Sequence, residues 1–247
     1  MHMLKTRLKE FKLAGMLNSI EERISYANDH SLSYAGFLEL LCEDEENSRR
    51  DNSYKKRYAK AKLPSYKTIE GFDFSFQPSI DKKMINDVST CNYLKDKQNI
   101  VFIGNPGTGK SHLAAALGIK ALLRGYKVLF STTAEMLRQL HISKADNSYY
   151  RKFNEYLASD LLILDELGFK KLPNYSADDF FEVIAKRYET GSTIITTNKA
   201  FEHWGDIFDD NILADAIRDR VVHHAIICKI NGPSYRTKAI KSVPNNN

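Results

Sequence analysis

The chain reads Val101-Phe-Ile-Gly-Asn-Pro-Gly-Thr-Gly-Lys-Ser-His-Leu113 at the end of an apolar run, 100 residues into its 247. This segment contains Gly104-x-x-x-x-Gly109-Lys110-Ser111. The apolar run before it is typical of a buried strand, and the apolar residues after Ser111 are typical of a helix. A phosphate-binding loop requires this strand–loop–helix context. The segment therefore predicts a nucleoside triphosphate site.

The residue types of the loop fit phosphate chemistry. Because glycine lacks Cβ, Gly104, Gly107 and Gly109 are expected to take positive φ and to bring backbone N–H groups close to phosphate oxygens. The positive end of the following helix faces the anion. Lys110 supplies charge for the β and γ phosphates, and the Ser111 hydroxyl is placed to coordinate Mg²⁺. The alternative is a glycine-rich turn that contains Lys-Ser by chance. We assign nucleotide binding to Gly104, Asn105, Pro106, Gly107, Thr108, Gly109, Lys110, Ser111 and His112.

A second apolar run ends in two acids, Leu161-Leu-Ile-Leu-Asp165-Glu166. Ligands collect at the carboxyl ends of strands in open α/β sheets. Asp165 is expected to hold Mg²⁺, directly or through water, and Glu166 to polarise an attacking water. Asn198 ends the run Thr196-Thr-Asn198 and is expected to hydrogen-bond the γ-phosphate or the same water, although Asn is also an ordinary strand-ending residue. Together these residues predict hydrolysis.

Two arginines precede the last predicted strand. Arg218 or Arg220 could stabilise transition-state charge on the γ-phosphate of a neighbouring subunit, or both could be surface ion-pair partners. Asp165-Glu-Leu-Gly168 also matches the Asp-x-x-Gly element of GTP switches, but Asn198-Lys-Ala-Phe201 lacks the aspartate that reads guanine. ATP is therefore the expected nucleotide. A small-molecule kinase fits less well, because Glu166 beside Asp165 suits water activation.

Composition narrows the class of protein. Lys and Arg number 36 against 31 Asp and Glu, and the resulting +5 permits contact with nucleic acid without demanding it. Cys42, Cys91 and Cys228 form no Cys-x-x-Cys pair, so neither a cysteine zinc site nor a disulfide framework is indicated. The N-terminus lacks a signal-peptide core, and no apolar run approaches the ~20 residues of a membrane span. We expect a soluble, cytoplasmic protein.

Residues 1–62 are predicted to form a small all-helical domain. Apolar residues recur at helical spacing, with Gly15 as a point where the first helix could kink or divide. A second helix is expected from about Ser33. The apolar stripe of the first helix is Leu4, Leu8, Phe11, Leu17, Ile20 and Ile24, and the inner face of the second is Phe37, Leu38, Leu40 and Leu41.

The most concentrated basic segment lies between Arg49 and Lys62, with Tyr54 and Tyr58 interleaved. Lys and Arg neutralise phosphates and tyrosines stack, so the segment is a candidate DNA surface. The alternative is a solvated helix face balanced by the preceding acids. The candidate DNA-binding residues are Arg49, Arg50, Lys55, Lys56, Arg57 and Lys60.

The remainder is predicted to be one α/β domain, residues 63–240, followed by a disordered tail, residues 241–247. Alternation in Phe72-Asp-Phe-Ser-Phe76 would place three rings on one side of an extended segment, where they could line an adenine pocket or cap the core. Strands then alternate with helices, which indicates a parallel sheet covered by helices. The five strands are expected near Ile100, Lys127, Leu161, Thr193 and Ala225.

Taken together, these motifs resemble the IstB-type ATP-binding proteins of insertion sequences. The likeness covers about Leu63 to Arg236. It rests on the block Gly104–Ala114, the run Asp160–Gly168, Arg187-Tyr-Glu189, Thr196-Thr-Asn198, Trp204-Gly205, Asp219-Arg220 with His223-His224, and Gly232-Pro-Ser-Tyr-Arg236. Family members often carry Leu-Leu where this chain has Val221-Val222, a conservative difference, and a small or apolar residue where it has Asn105.

The resemblance implies an AAA+ ATPase related to the DnaC helicase loaders. It implies a P-loop fold whose sheet has the order 5-1-4-3-2, flanked by helices, and an ATP-dependent homo-oligomer on double-stranded DNA that recruits and stimulates a partner transposase. A replicative helicase loader is the alternative, and a DNA-binding scaffold with a decayed ATP site a third. By position, the resemblance implies Lys110 and Ser111 as Walker A, Asp165 and Glu166 as Walker B, Asn198 as sensor 1, Arg220 as the arginine finger, and Arg236 as a nucleotide-binding, sensor 2-like arginine.

Overall fold

The computed structural model describes residues 1–169, 172, 174–208 and 210–237. The predicted tail, 241–247, lies outside the described residues. The chain divides into two compact units, Met1–Arg57 and Tyr58–Asn247. Among the described residues, no helix is both long and apolar enough to cross a membrane.

The first unit is helical, as predicted. It contains α1 (His2–Glu10), α2 (Ala14–Asp29) and most of α3 (Tyr34–Ala61). Leu8, Ile20 and Leu41 form its buried centre. Three residues predicted for the apolar faces, Leu4, Phe11 and Leu38, are instead exposed. Phe11 follows the last residue of α1, so it leaves the helical stripe.

Gly15 plays a different role from the predicted kink. The chain breaks between α1 and α2 before Gly15 is reached, and Gly15 lies in the first turn of α2. Its N–H donates to the Glu45 carboxylate at 2.7 Å, and a Cβ there would overlap the Asp44 carbonyl oxygen. Glycine is therefore needed because α2 and α3 approach closely, with Arg23 and Asp44 forming an ion pair at 2.7 Å beside the contact.

The second unit is built on a five-stranded parallel sheet. Its order, β2-β3-β4-β1-β5, is the predicted 5-1-4-3-2 read from the other edge. Central strands such as β3 are buried on both faces, which explains why they read as unbroken apolar runs. The strands are β1 (Asn99–Gly104), β2 (Val128–Thr132), β3 (Leu161–Leu167), β4 (Ser192–Thr197) and β5 (Ala225–Ile230).

Helices flank this sheet and follow its strands in order. Apolar side chains of α7, α9 and α11 pack with β3 and with Trp204, Ile207 and Phe208 in one core cluster. The helices are α4 (Lys82–Ser89), α5 (Asn92–Lys95), α6 (Lys110–Leu123), α7 (Thr133–Ala145), α8 (Tyr149–Leu157), α9 (Asn174–Arg187), α10 (Gly205–Phe208) and α11 (Asn211–Val222), with 3₁₀ turns at Phe201–His203 and Tyr235–Thr237.

The segment Phe72–Phe76 is not extended, so that prediction is wrong. The Asp73 carboxylate accepts the Phe76 N–H at 3.1 Å and the Ser75 hydroxyl at 2.5 Å. The Phe74 N–H donates to the Phe72 carbonyl, also at 3.1 Å. Aspartate commonly nucleates a turn in this way, and here the turn outweighs the apolar alternation. The three rings are half-buried.

Candidate functional site

The phosphate loop lies between β1 and α6, as predicted. Gly107 and Gly109 have φ of +80° and +95°, a region that side chains other than glycine's disfavour. Gly104 does not share this conformation, which corrects the expectation for it. A Cβ on Gly104 would instead overlap the Ile230 carbonyl oxygen of β5, so this glycine permits the close approach of two strands.

Lys110 is the first residue of α6, and its ammonium folds back over the loop. Its Nζ donates to the carbonyl oxygens of Gly104 at 2.7 Å and Asn105 at 2.8 Å. Burial lowers the pKa of Lys110; the Asp165 charge opposes this effect and the Arg236 charge adds to it. The side chain thus sits at the mouth of the loop, within the charge field of residues from two other parts of the chain.

Asp165, near the end of β3, is hydrogen-bonded both to the phosphate loop side and to the neighbouring strand. The carboxylate is buried and accepts the Ser111 hydroxyl at 2.8 Å. The same Oδ1 accepts the hydroxyl of Thr196 on the neighbouring strand β4. The structure thus brings together the two predicted magnesium ligands, Ser111 and Asp165, and a second hydroxyl, that of Thr196, holds the carboxylate.

Glu166 follows Asp165 with an unusual backbone. Its φ is +61°, and the register between β3 and β4 shifts between Leu164 and Leu167. The Glu166 N–H donates to Thr196 Oγ1 at 3.0 Å, while the Glu166 side chain is exposed. The bulge therefore keeps Asp165 inside the sheet and leaves the next carboxylate open to solvent at the carboxyl edge.

A cavity of about 510 Å³ opens beside the loop. Its walls include Phe72 and Gln77 from the segment before α4, and Tyr235 and Arg236 from the segment after β5. Phe72 lies so close that a Cβ on Gly109 would overlap its ring, and it also contacts the His112 ring edge-on. Phe72 therefore lines the cavity beside the phosphate loop.

The segment that follows β5 is hydrogen-bonded to the phosphate loop. The Tyr235 N–H donates to the Gly107 carbonyl at 2.9 Å, and the Gln77 amide donates to the Pro233 carbonyl at 2.7 Å. Arg236 consequently lines the same cavity as Lys110. The structure places all the predicted loop residues, Asp165, Glu166 and Arg236 at one edge of the sheet. Asn198, exposed and directly after β4, lies at that edge too.

The two late arginines lie elsewhere. The Arg220 carbonyl contacts the Asn99 amide at 3.5 Å, at the amino end of β1, whereas the loop follows the carboxyl end. A strand of six residues separates those ends by roughly 16 Å. The Arg220 guanidinium donates to the Ala216 carbonyl and stacks 4.9 Å from the centre of the Phe181 ring, and Arg218 pairs with Asp215 at 3.0 Å. Neither arginine reaches the loop of its own chain.

The predicted DNA-binding residues all lie on the long helix α3. At about 100° per residue, Arg49, Arg50, Lys56 and Arg57 share one side, whereas Lys55 falls on roughly the opposite side. Arg49 is paired with Glu45 at 2.6 Å, and Arg57 contacts the Ser53 hydroxyl at 2.5 Å. Lys60 is exposed in the last turn.

Sequence reasoning missed Thr196 and Thr133. Thr196 bridges Asp165 and Glu166, and the Thr133 hydroxyl donates to the Asp165 carbonyl at 3.2 Å. Thr196 belongs to the motif Thr196-Thr-Asn198, in which the sequence predicted a role for Asn198 alone. The parallel pairing of β3 with β4 places Thr196 next to the Asp165 carboxylate. This pairing cannot be inferred from the spacing of residues along the chain.

Comparison with known proteins decides the family. The model of the IstB-like ATP binding protein family matches residues 6–242. The chain belongs to this family. An IstB-like relative from Geobacillus stearothermophilus, named as an ATP-binding protein of insertion sequence IS5376, is 39% identical over 239 residues, covering 95% of each chain. One from Pseudomonas aeruginosa, named for insertion sequence IS21, is 37% identical over 238 residues, covering 96% of this chain and 90% of the relative.

Solved structures share the fold of this IstB-like chain. The DnaC helicase loader matches with a TM-score of 0.56 and 23% identity, over 71% of this chain and 99% of that one. The replication initiator DnaA bound to AMPPCP and single-stranded DNA matches with a TM-score of 0.58 and 22% identity, over 73% and 55%. The predicted fold with its sheet order and the resemblance to insertion-sequence ATP-binding proteins are confirmed.

Proposed function

We propose that this protein hydrolyses ATP at the loop and acts as a DNA-bound helper of transposition. The observation that carries the proposal is the junction of Ser111 with Asp165, 2.8 Å apart, at the foot of a loop whose Lys110 and glycines face the same edge. Four separate parts of the chain meet there: the loop, the end of β3, the end of β4 and the segment after β5.

The donor set at the junction fits Mg²⁺. A serine hydroxyl and a carboxylate are oxygen ligands of the kind Mg²⁺ prefers, and Mg²⁺ bound with few protein ligands usually keeps several waters. Ser111 and Asp165 would hold the ion. Bound there, Mg²⁺ supplies positive charge to neighbouring phosphate oxygens.

The remaining steps belong to side chains of this protein. Lys110 would exchange its two carbonyl contacts for the β and γ phosphates, while loop N–H groups hold the same anion. Glu166, solvent-facing beside the magnesium ligand, would accept a proton from the attacking water. Asn198 would orient that water or the γ-phosphate. Phe72 would contact the adenine.

A lysine substitution tests the nucleotide site. Lys110→Ala should lose ATP binding and turnover, because it removes the only charge that the loop itself supplies to the phosphates. Lys120→Ala is the matched control, since Lys120 lies on the same helix but pairs with Glu70 at 2.8 Å. Normal turnover in Lys110→Ala would overturn the assignment of an ATPase.

We propose that the basic side of α3 binds double-stranded DNA. If Lys56 neutralises a phosphate, Lys56→Ala should weaken binding of any duplex and lower the salt slope by about one. Lys55→Ala, on the opposite side of the helix, is the control and should change little. A salt-independent affinity of the wild type would count against phosphate contacts altogether.

An oligomer is proposed because Arg220 lies far from its own loop. In a head-to-tail assembly the amino edge of one sheet would face the loop of the next, and Arg220 would complete that site. Arg220→Ala should then bind ATP without hydrolysing it. Mixing it with Lys110→Ala should restore part of the activity at shared interfaces, and the absence of rescue would remove the role in trans.

The partner is proposed to be a transposase, since the IstB-like relatives are named for insertion sequences. The fold match to the DnaC helicase loader supports a helicase as the alternative. Affinity capture with purified candidates separates the two. Retention of a purified transposase supports the proposal, and retention of a replicative helicase alone favours the alternative.

A further inference from the structure

Three side chains capable of binding a metal meet at the amino edge of the sheet, away from the loop. Glu189 lies in the turn between α9 and β4, and His223 and His224 lie in the turn between α11 and β5. One ligand atom from each lies within 4.8 Å of the other two. The motifs Arg187-Tyr-Glu189 and His223-His224, which the ATP site leaves without a role, therefore converge.

The two imidazoles are held side by side. Their ring centres are 3.9 Å apart, and the Tyr188 hydroxyl lies 2.8 Å from His223 Nδ1. That contact leaves Nε2 of His223 for another partner. All three candidate ligands line a cavity of about 240 Å³, together with Asp96, Lys97, Asn99 and Tyr188.

Two imidazoles and one carboxylate form the ligand set of many three-ligand transition-metal sites. Tetrahedral zinc, with ligands at about 2.0–2.1 Å, separates its ligand atoms by roughly 3.4 Å. The present atoms, all within 4.8 Å of one another, would have to close by at most about 1.4 Å, which rotation of exposed side chains permits. Mg²⁺ prefers oxygen ligands, so the cluster is chemically distinct from the Ser111–Asp165 pair.

We propose that Glu189, His223 and His224 bind a divalent transition-metal ion of the zinc class. Three protein ligands leave one position for water. Tyr188 acts as a positioning residue by fixing the His223 ring, as outer hydrogen-bond partners do in metal sites. Asp96 adds favourable charge to the cavity, whereas the Lys97 ammonium opposes a cation and limits the affinity.

The ion would connect two turns that the protein already holds near one another. Asn99 Nδ2 donates to the Val221 carbonyl at 3.1 Å, and Asn99 Oδ1 accepts the Thr193 N–H at 2.9 Å. A metal bridge from Glu189 to the His223–His224 turn would add a cross-link beside these contacts and hold the end of α11, which carries Arg220. The proposal does not rest on ATP hydrolysis.

Titration with Co²⁺, followed by visible absorption, tests the site in the untagged full chain without nucleotide. In wild type a ligand-field absorption band should grow until one equivalent of Co²⁺ has been added, and Zn²⁺ should then remove it. Loss of a ligand in His223→Ala or His224→Ala should weaken binding at least as much as loss of an outer partner, about 10–100-fold, and Tyr188→Phe should fall within that range.

His203→Ala is the matched control, because His203 is exposed with one carboxylate, Asp206, at 3.9 Å and belongs to no such cluster among the residues that the structure describes. Circular dichroism identifies a variant that fails to fold, in which case Glu189→Gln replaces it. Unchanged Co²⁺ affinity in the folded cluster variants, or no band in wild type, would overturn the proposal. Neither result would bear on the ATP site, since no nucleotide is present.

Discussion

Thr196→Val removes a hydroxyl that two active-site groups share. Thr196 Oγ1 donates to the buried Asp165 carboxylate and accepts the Glu166 N–H at 3.0 Å. Valine keeps the volume but can do neither. We expect the variant to bind ATP nearly as well as wild type, because the loop, Lys110 and Ser111 are untouched, and to hydrolyse it more slowly.

The size of the effect follows from the bond that is lost. A hydrogen bond to a charged group contributes about 1.5–3 kcal/mol, and each 1.36 kcal/mol in the barrier is a factor of ten in rate. If the carboxylate must be held in place during phosphate transfer, kcat should fall by about 10–150-fold. Part of the loss would appear as lower stability, because the Glu166 N–H loses its acceptor.

Steady-state ATP hydrolysis with separate determination of kcat and KM measures this. Thr196→Ser, which keeps the hydroxyl, should recover most of the rate. If Thr196 acted only through packing, Thr196→Val would keep the kcat of wild type, and Thr196→Ser, which lacks the methyl group, would be the more impaired variant. A kcat of folded Thr196→Val within twofold of wild type would refute the reasoning.

Three further predictions concern stability and the loop. Arg187→Met removes a buried guanidinium, whose pKa burial lowers to about 10 and which binds several main-chain carbonyls; we expect a loss of about 3 kcal/mol, or roughly 6–12 °C in Tm by calorimetry, whereas exposed Arg218→Met should change Tm little. The Arg23 guanidinium holds the pKa of Asp44 at about 2, below its ordinary value, so its stabilising effect is present above about pH 4 and is lost as pH falls toward 2; acid unfolding of Arg23→Gln should show a weaker pH dependence in that window. Gly107→Ala, at φ +80° and against Ser234, should abolish binding of a fluorescent ATP analogue.

The sheet of the second unit could be predicted from the sequence because strands such as β3 and β4 are buried along almost their whole length. Leu161-Leu-Ile-Leu164 lies between neighbours on both sides and beneath helices on both faces, so the run has to be apolar. The order of the strands was implied by resemblance and confirmed by the structure. Helix α4 was not expected, although Asp81 caps it by accepting the N–H groups of Lys83 and Met84.

The site was predictable where chemistry fixes residue type at a fixed spacing. Lys110, Ser111 and Asp165 needed only the loop pattern and the end of an apolar run. The role of Thr196 could not be predicted, because it depends on which residue of β4 lies beside Asp165 across the sheet. For Phe72–Phe76 the local sequence was misleading. The alternating phenylalanines predict an extended segment, but the hydrogen bonds of the Asp73 carboxylate form a turn there instead.

The cluster around His223 illustrates a third limit. Glu189 and the two histidines are more than thirty positions apart along the chain, and the turns that carry them meet only because β4 and β5 both pair with β1. Metal-ligand spacing is therefore invisible in the sequence, although each residue is visible in a motif.

ATP hydrolysis by Glu166→Gln tests the central claim most directly. The substitution keeps the size of the exposed side chain and removes its ability to accept a proton, while Ser111, Asp165 and Lys110 remain as they are. In the presence of duplex DNA, wild type should turn over ATP, and Glu166→Gln should bind ATP with unchanged affinity while its turnover falls by about 10²–10⁴-fold. Turnover of Glu166→Gln equal to that of wild type would contradict the account.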